Sequence, residues 1–230
     1  MPVPADSGIA HMSVAAVVFY LDGVLIDSEG VWDRVRRDLA AEAGRPWPAS
    51  ATADMMGMSS LEWSAYMHAA VGLSDPPPTI NRDVVARVVS SYARHLPLIT
   101  GAVETVRRMG RRFPLGLASS SNRGVIDVVM SASGLGEEFS ATVSSEEVGV
   151  GKPAPDVYLE AARCLGVEPP ACVAVEDSGN GIRSAVAAGM RVVAIPNHEF
   201  PPARDALGLA TWQLGSIADL SPGRLGGDAR

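Results

Sequence analysis

The sequence predicts an α/β protein whose core is a doubly wound sheet of parallel strands, with an all-helical segment inserted after the first strand. The first observation behind this prediction is a set of four short apolar runs at 15–21, 115–120, 172–177 and 191–196. These runs are continuous and do not alternate with polar residues, which is typical of strands buried on both faces of a parallel sheet. The second observation is that helical patterns separate the runs, as expected when strand and helix alternate.

Helical patterns fill the segment between the first two runs, and no comparable strand pattern interrupts them. An apolar stripe at the spacing of one helix face indicates the first helix. Its members are Val31, Trp32, Val35, Leu39 and Ala43. Two further helices are expected in 60–72 and 82–96. An insertion at this point is placed to cover the carboxyl edge of the sheet, where ligands of such folds bind.

Two helices are expected later in the chain. One runs through 155–166, with Pro155 near its start and Gly166 at its end, and the other runs from Ile182 to Gly189. These patterns divide the chain into parts with different expected structures. We expect a core formed by 14–28 and 98–220, a helical cap at 29–97, a leader or disordered tail at 1–13 and a loose tail at 221–230.

Composition and charge exclude several classes of function. The 230 residues are 47% apolar and 20% charged, which is ordinary for a protein that buries a core. A net charge of -7 and a pI near 5.1 argue against a nucleic-acid partner, because phosphate backbones bind basic surfaces. No apolar run is long enough to span a membrane, and the first residues have no apolar core of a signal peptide. We expect a cytoplasmic monomer or weak dimer.

The cysteines and histidines do not indicate a zinc site. Cys164 and Cys172 are the only cysteines and lack the spacing of a ligand pair, and the four histidines are scattered. Two cysteines are too few for a disulfide scaffold, so a reducing cytosol fits them best.

Polar side chains follow the predicted strands at the points where the strands end. These side chains are Tyr20, Asp22, Asp27, Ser119, Ser120, Ser121, Glu176 and Asp177, and Lys152 opens a predicted helix. Carboxylates, a lysine and a serine-rich turn at one edge of a sheet are suited to binding Mg²⁺ and a phosphate group. We therefore predict a magnesium and phosphate site at this edge.

Each of these groups also has a purely structural interpretation. The serines at 119–121 and the Asp177-Ser178 pair are residue types that cap helices. Lys152, which precedes a proline, is of a type that usually lies on a solvated surface. Their joint occurrence at the strand ends favours the functional interpretation.

Four motifs in this order resemble the haloacid dehalogenase superfamily, and within it the sugar-phosphate phosphatases and β-phosphoglucomutase-like proteins. The motifs are "YLDGVLIDSE", "LASSSN", "GKPAPDVYLEAA" and "VEDSGNGI", and the resemblance extends from about residue 14 to 220. It implies a Rossmann-like core with a helical cap inserted after the first motif. This layout agrees with the one predicted from the apolar runs.

The resemblance also implies a role for each matching residue. Position 20 is expected to hold a nucleophilic aspartate that also ligates Mg²⁺, and Asp22 is expected to be the general acid and base. Ser119 and Lys152 are expected to hold the phosphate oxygens. The backbone carbonyl of Asp22 is expected to be another Mg²⁺ ligand, and Asp177, supported by Glu176, is expected to complete the metal site. Further contacts to a small phosphorylated substrate are expected from Gly23, Ser120, Asn122, Gly57, Ser59 and Trp32.

Tyr20 departs from this pattern at the position of the nucleophile. A phenol has a pKa of about 10, so it is mostly neutral at pH 7 and a poor nucleophile. It is also a poorer Mg²⁺ ligand than a carboxylate and much larger. We therefore predict that this chain is inactive or severely impaired. Three explanations of Tyr20 stay open: an introduced substitution or sequence error in an otherwise ordinary enzyme, a natural pseudoenzyme that still binds phosphorylated ligands, or a chemistry that uses Tyr20 itself.

The predicted cap carries the signals for substrate choice. The loop "MMGMSSLEW" is similar to the substrate-facing loop of the family, and Trp32 faces either the core or the ligand, with the core expected. Trp32 and Ser60 stand where a β-phosphoglucomutase would have a histidine and a basic residue. Their presence favours a phosphatase acting on small phosphorylated sugars or sugar alcohols over a mutase. "LIDSEGVWDR" is also close to the pattern of hexose- and hexitol-phosphate phosphatases.

Two alternatives lie outside phosphoryl transfer. A dehalogenase would attack with the missing first aspartate and has no use for the Glu176-Asp177 pair. A non-catalytic protein would bind a phosphorylated ligand or a partner without turnover. For the enzyme, we expect the cap to close over the core and exclude water.

Overall fold

The computed structural model describes residues 13–55, 58–197 and 201–226 of the chain. Within these residues, one parallel sheet is formed by β1 (Ala16–Phe19), β2 (Leu115–Ser119), β3 (Ala141–Ser144), β4 (Cys172–Glu176), β5 (Arg191–Ala194) and β6 (Trp212–Gln213). The strands lie in the order β3-β2-β1-β4-β5-β6. Strands β2 and β3 are thus added on one side of β1, and β4, β5 and β6 are added on the other side, as in Rossmann-like sheets.

The four predicted strands are confirmed as β1, β2, β4 and β5. Val17 and Phe19 of β1 enter the apolar cluster on one face of the sheet, whereas Ala16 and Val18 enter the cluster on the other face. Because both faces are covered, every residue of β1 is apolar, which explains the continuous run in the sequence. The prediction missed β3 and β6, which lie at the two edges of the sheet and are short and partly polar.

Helices cover both faces of the sheet. The described helices are α1 (Glu29–Glu42), α2 (Ala51–Met55), α3 (Ser60–Tyr66), α4 (Pro77–Arg94), α5 (Ala102–Gly110), α6 (Arg123–Ser133), α7 (Asp156–Leu165), α8 (Gly179–Ala187) and α9 (Arg204–Leu207). Helices α5 and α6 belong to the same apolar cluster as Phe19, while α7 and α8 pack on the opposite face. The sheet is thus doubly wound, as predicted.

Helices α1 to α4 form the insertion between β1 and β2, and we call them the inserted helices. No strand interrupts them in the part of this segment that the structure describes. Helix α4 packs on α1 and α3 and also on α6 of the core, because Ile80, Val84, Val88 and Tyr92 form one buried stripe. Helix α4 begins at Pro77, earlier than predicted, since proline is well suited to the first turn of a helix.

The structure corrects details of the predicted elements. The helix expected to span 60–72 consists of α3 followed by a single π-helical turn, Met67–Val71. Lys152 does not open a helix, because α7 begins only at Asp156. The predicted tail at 221–230 contains a 3-10 helix, Pro222–Leu225, with a buried Leu225. Residues 1–12 and 227–230 lie outside the described residues. Within the described ranges, no helix is long and apolar enough to cross a membrane.

Candidate active site

The predicted site residues meet at the carboxyl ends of β1, β2 and β4. These strands are neighbours in the sheet, and the strand order reverses at β1. In α/β folds, ligands bind at the point where the strand order reverses. Asp22, Ser119, Lys152 and Asp177 are all buried there, as is Tyr20. The sheet topology therefore brings together residues that lie up to 157 positions apart in the sequence.

Asp22 is oriented by the serines that follow β2. Its Oδ2 accepts hydrogen bonds from Ser121 Oγ at 2.7 Å and from Ser119 Oγ at 3.3 Å. Ser119 Oγ in turn accepts from the Ser121 backbone N–H at 3.0 Å. The N-cap of α6 is Asn122, and the first N–H of the helix, that of Arg123, donates to Glu146 Oε2 at 3.1 Å, so the interpretation of these serines as a helix cap is wrong. The sequence-based site included Ser119 and Ser120, whereas Ser121 makes the shorter bond to Asp22.

Lys152 and Glu176 form a buried ion pair. Their side chains are 3% and 0% exposed, and Lys152 Nζ lies 2.5 Å from Glu176 Oε1. Tyr158 donates its hydroxyl to the same oxygen at 2.7 Å. The interpretation of Lys152 as a surface residue is therefore wrong.

Both carboxylate oxygens of Glu176 accept hydrogen bonds in this structure. Its Oε2 accepts from the backbone N–H groups of Asp177 and Ser178 at 3.0 and 3.2 Å and from Ser178 Oγ at 3.1 Å. Together with Lys152 and Tyr158, these groups occupy both carboxylate oxygens. The metal contact of Glu176 stays a prediction, and in this structure the carboxylate anchors Lys152 and the loop after β4. Ser178 does cap α8, since its Oγ also accepts from the Gly181 N–H.

Asp177 is brought against the loop after β1 by Gly23. The glycine adopts φ +70°, and a Cβ atom at this position would lie 1.9 Å from Asp177 Oδ2. Burial and then the neighbouring Glu176 carboxylate raise the pKa of Asp177 well above its ordinary range, while Lys152 acts in the opposite direction. Gly23 therefore provides clearance for Asp177, a role that the predicted substrate contact did not include.

Asp22 and Asp177 are the residues that fit a magnesium ion. Oδ1 of each is buried and has no hydrogen-bond partner in the described part of the chain. Carboxylate oxygens are preferred Mg²⁺ ligands, and one or two carboxylates with phosphate oxygens and water make a usual Mg²⁺ site. Position 20 adds no carboxylate, and the described residues contain no cluster of three or more His, Cys, Asp or Glu side chains placed for a metal. Within the described residues, the oxygens that suit Mg²⁺ are therefore those of Asp22 and Asp177.

Tyr20 is buried between the acidic residues and the lysine. It is 8% exposed, and Lys152 Nζ lies 3.6 Å from the centroid of its ring, a cation–π contact. Burial and then the charges of Asp22 and Asp177 raise the pKa of Tyr20 well above 10. The phenol is therefore neutral at physiological pH, and its ring covers the ammonium group expected to hold phosphate.

A cavity of about 50 Å³ lies between this edge of the sheet and the inserted helices. Its described lining residues are Tyr20, Asp22, Ser28, Glu29, Trp32, Arg36, Met55, Met58, Trp63, Ser120, Ser121 and Asn122. Lys152 and Asp177 are not part of this described lining. The site is thus shared between the core and the inserted helices.

The residues of the insertion that are predicted to contact substrate lie in different surroundings. Trp32 is buried against Trp63, with ring centroids 5.9 Å apart, and also lines the cavity, so it contributes to both core and site. Ser59 caps α3 by accepting a hydrogen bond from the Glu62 N–H, and its substrate contact stays a prediction. Gly57 lies outside the described residues.

Asn122 lines the cavity and also ties the core to the insertion. Its Nδ2 donates to Glu146 Oε1 at 2.5 Å and to Asn81 Oδ1 of α4 at 3.2 Å. Ser60 of α3 donates to the same Glu146 oxygen at 3.4 Å. These bonds hold the inserted helices against the core over the cavity.

The prediction from sequence missed Arg36, Trp63 and Glu29 as cavity residues. Arg36 lies one helical turn after Trp32 on the buried side of α1, so its spacing carried a signal. A charged residue on an apolar face is ordinarily assigned to the surface, and that assumption concealed it.

Known proteins are similar to this chain over most of its length. A family model described as a haloacid dehalogenase-like hydrolase matches residues 14–189. Hexitol phosphatase B of Escherichia coli K12 is 33% identical over 213 residues, which cover 90% of this chain and 95% of that protein. A probable pseudouridine-5'-phosphatase of Drosophila melanogaster is 29% identical over 222 residues, covering 93% and 94%. The crystal structure of CbbY from Rhodobacter sphaeroides in complex with phosphate has a TM-score of 0.80 at 25% identity, covering 90% and 96%.

Proposed function

The chain belongs to the haloacid dehalogenase-like hydrolase family, and from this premise we propose that it carries a Mg²⁺-dependent phosphatase site for small phosphorylated sugars or sugar alcohols, impaired by Tyr20 at the nucleophile position. The observation that carries the proposal is the convergence of Asp22, Ser119, Lys152 and Asp177 at one buried edge of the sheet. This set combines an acid, a phosphate-binding cation and two oxygen ligands for a metal.

Asp22 is the residue suited to proton transfer. Ser121 and Ser119 fix its Oδ2 by hydrogen bonds, so the carboxyl group presents a defined oxygen toward the cavity. In the proposed reaction it protonates the leaving alkoxide and then removes a proton from the attacking water. Mg²⁺ held by the Asp177 carboxylate and the Asp22 backbone carbonyl would shield the phosphoryl group's negative charge from the surrounding carboxylates, which leaves the Asp22 carboxyl group for proton transfer.

Tyr20 replaces the aspartate that would act as the nucleophile in this chemistry. A neutral phenol supplies no charged nucleophile, and the burial that raises its pKa opposes ionisation. The ring also lies against Lys152, which reduces the access of phosphate oxygens to the ammonium group. A phosphorylated phenol would lack the reactive acyl linkage of an aspartyl phosphate. We expect turnover to be lost or severely reduced.

The substrate class is supported by the proteins that this chain is similar to. They include the hexitol phosphatase, a fructose-1-phosphate phosphatase of Escherichia coli at 28% identity, and a mutant CbbY in complex with xylulose-1,5-bisphosphate at 25%. Each of these names contains a phosphorylated sugar or a hexitol. A phospho-ligand-binding protein without turnover is the second candidate function, and the buried Tyr20 favours it.

The inserted helices are proposed to open and close as a cap. A cavity of about 50 Å³ is far smaller than the roughly 300 Å³ or more of usual ligand pockets, so a sugar phosphate needs the two parts to separate. The bonds of Asn122 to Asn81 and of Ser60 to Glu146 would then break and re-form. Closure would exclude water during phosphoryl transfer.

The test is Mg²⁺-dependent phosphate release from a panel of hexose and hexitol phosphates. The unmodified chain is compared with Tyr20→Asp and with Tyr20→Asn, which matches the size of the aspartate without its charge. We expect release only from Tyr20→Asp. Equal release from Tyr20→Asn would show that position 20 is not the nucleophile. If all three proteins are folded and none releases phosphate, the phosphatase proposal is wrong.

A further inference from the structure

The inserted helices join the core through two chain segments, 25–27 and 97–99, which we call the hinge. Two backbone hydrogen bonds pair these segments, from the Asp27 N–H to Pro97 O at 2.8 Å and from the Ile99 N–H to Leu25 O at 3.0 Å. Any rotation of the inserted helices relative to the core must therefore bend both segments together.

A second cavity, of about 470 Å³, lies against the hinge. Its volume falls within the roughly 300–1,000 Å³ of usual small-molecule sites, whereas the cavity at Tyr20 has only about 50 Å³. One wall includes Asp27 of the hinge and Gly30 of α1, and the other includes Ile195 after β5 and Gly215 after β6. A molecule in this cavity would therefore contact both the core and the inserted helices.

The walls of this second cavity combine apolar side chains with two carboxylates. Val24, Ile195 and Ile217 are apolar, Asp27 and Glu29 are acidic, and the described lining contains no Lys, Arg or His. Neither carboxylate takes part in an ion pair in the part of the chain that the structure describes. The cavity is thus suited to a ligand that carries a positive charge on an apolar body.

Glu29 lies in an excess of negative charge. Burial and then the Asp22 carboxylate raise its pKa, and Asp33 and Asp27 act in the same direction, whereas Arg36 opposes them. A cation bound beside Asp27 and Glu29 would offset this repulsion. The carbon chain of the same ligand would be removed from water by the apolar walls.

We propose that the cavity at the hinge binds a small organic cation, an alkylamine whose ammonium group pairs with Asp27 and Glu29 and whose carbon chain lies on Ile195 and Ile217. Because the walls belong to both the hinge and the core, the bound amine holds the inserted helices in one orientation. Such a ligand shifts the equilibrium between two orientations by its difference in affinity for them.

The site is separate from the proposed phosphatase site. Of the described lining residues, Glu29 alone is shared with the cavity at Tyr20. Binding of the amine therefore rests neither on Tyr20 nor on phosphate, and only its effect on the inserted helices rests on the cap motion proposed above.

The first test compares three six-carbon ligands, hexylamine, hexanol and hexanoate. At pH 7 they carry a positive, no and a negative charge, because an alkylamine titrates near the lysine value of about 10.4 and a carboxyl group near about 4.3. Their affinities for the unmodified chain are measured by NMR titration. We expect hexylamine to bind about tenfold or more tightly than hexanol, as charged hydrogen bonds allow, and hexanoate to bind most weakly. Equal affinities for hexylamine and hexanol, or an unchanged ratio in Asp27→Asn, would overturn the cation site.

Gly30→Leu and Gly215→Leu test the location by narrowing the cavity from its two walls. A Cβ atom at either glycine has no atom within 4 Å, so neither substitution collides with the fold. Gly124→Leu is the matched control, since Gly124 is the second residue of α6, as Gly30 is of α1, with the same open space but outside the described lining. Hexylamine affinity should fall about tenfold or more in the first two variants and stay unchanged in the third, because an overfilled site excludes the ligand. Unchanged binding in both cavity variants, or an equal loss in the control, would overturn the location.

Hydrogen exchange tests the effect on the hinge. The Asp27 and Ile99 amides donate the two bonds that pair its segments, so their exchange rates report its opening. Hexylamine at saturation should slow both by about fivefold or more relative to the Gly134 amide at the end of α6, the lower range of usual couplings. Equal changes at all three amides would overturn the coupling to the hinge and leave the binding site intact. If hexylamine does not bind, the inference is wrong, while phosphate release by Tyr20→Asp still decides the proposed function separately.

Discussion

Glu176→Gln is expected to destabilise the fold more than any other single change of a polar site residue. The carboxylate accepts hydrogen bonds from five donors, two on Oε1 and three on Oε2. Glutamine keeps one acceptor oxygen and replaces the other with an NH₂ group that faces donors. The substitution also leaves the ammonium group of Lys152 buried without its counter-charge.

The expected loss is about 3–5 kcal/mol of unfolding free energy, the usual cost of removing one partner from a buried ion pair. This is a large part of the roughly 5–15 kcal/mol that stabilises a typical domain. Lys152→Met should cost less, because it leaves Glu176 with the other four donors and places an apolar chain beside the Tyr20 ring. The double variant should cost less than the sum of the two, since neither charge is then left alone.

Urea unfolding at pH 7, followed by circular dichroism, measures these differences. Glu160→Gln is the control, because Glu160 also forms an ion pair, with Arg163 at 2.6 Å, but on the surface. Its unfolding midpoint should match that of the unmodified chain. The reasoning is refuted if Glu176→Gln unfolds at the same urea concentration as Glu160→Gln, or if the effects of the two site variants simply add.

Two further changes test the backbone and the electrostatics around the site. Left-handed strain alone costs about 1–2 kcal/mol, and Gly23→Ala should lower the unfolding free energy by more than this and abolish stabilisation by Mg²⁺, because the added methyl group collides with Asp177. The control is Gly72→Ala, since Gly72 has φ +85° and open space around it. In thermal melts this variant should show the cost of the strain alone. Glu147→Gln should reduce stability at pH 7 by less than about 1 kcal/mol, as the largely exposed bond to Arg123 is screened. The bond to Arg123 lowers the pKa of Glu147, so its contribution to stability is complete above a pH of about 4.5 and disappears as the pH falls through the lowered pKa. The urea midpoints of Glu147→Gln and the unmodified chain should therefore converge in acid. A difference that stays constant with pH would contradict a role of the Glu147 charge.

The strands that the sequence predicts are those whose own residues are buried. β1, β2 and β4 lie inside the sheet, and every residue in them is buried, so each appears as a continuous apolar run. β3 and β6 are edge strands, and only part of each is buried. Such strands depend on pairing with a neighbour that lies far away in the sequence, which no local pattern records.

The same distinction applies to the site. Parallel strands bring their carboxyl ends to one edge, so Asp22, Ser119 and Asp177 could be placed together from the sequence alone. The burial of Lys152 could not, because it depends on Glu176, 24 residues later. Arg36 was missed for a related reason: its burial depends on two tryptophans, one of which lies on a different helix.

These contacts change what the rest of the site says about the origin of Tyr20. The presence of Lys152 and Glu176 would favour a recent or introduced tyrosine only if catalysis were their sole role. Removing either partner of their buried ion pair would leave the other charge buried alone, so both residues have a structural reason to be kept whether or not the chain turns over substrate. Asp22 and Asp177 are different, because each keeps a buried oxygen without a partner in the described structure, which costs stability. A protein with no ligand for these oxygens would gain from replacing the two residues, so the aspartates, and not the lysine, are the residues that support the proposed ligand site.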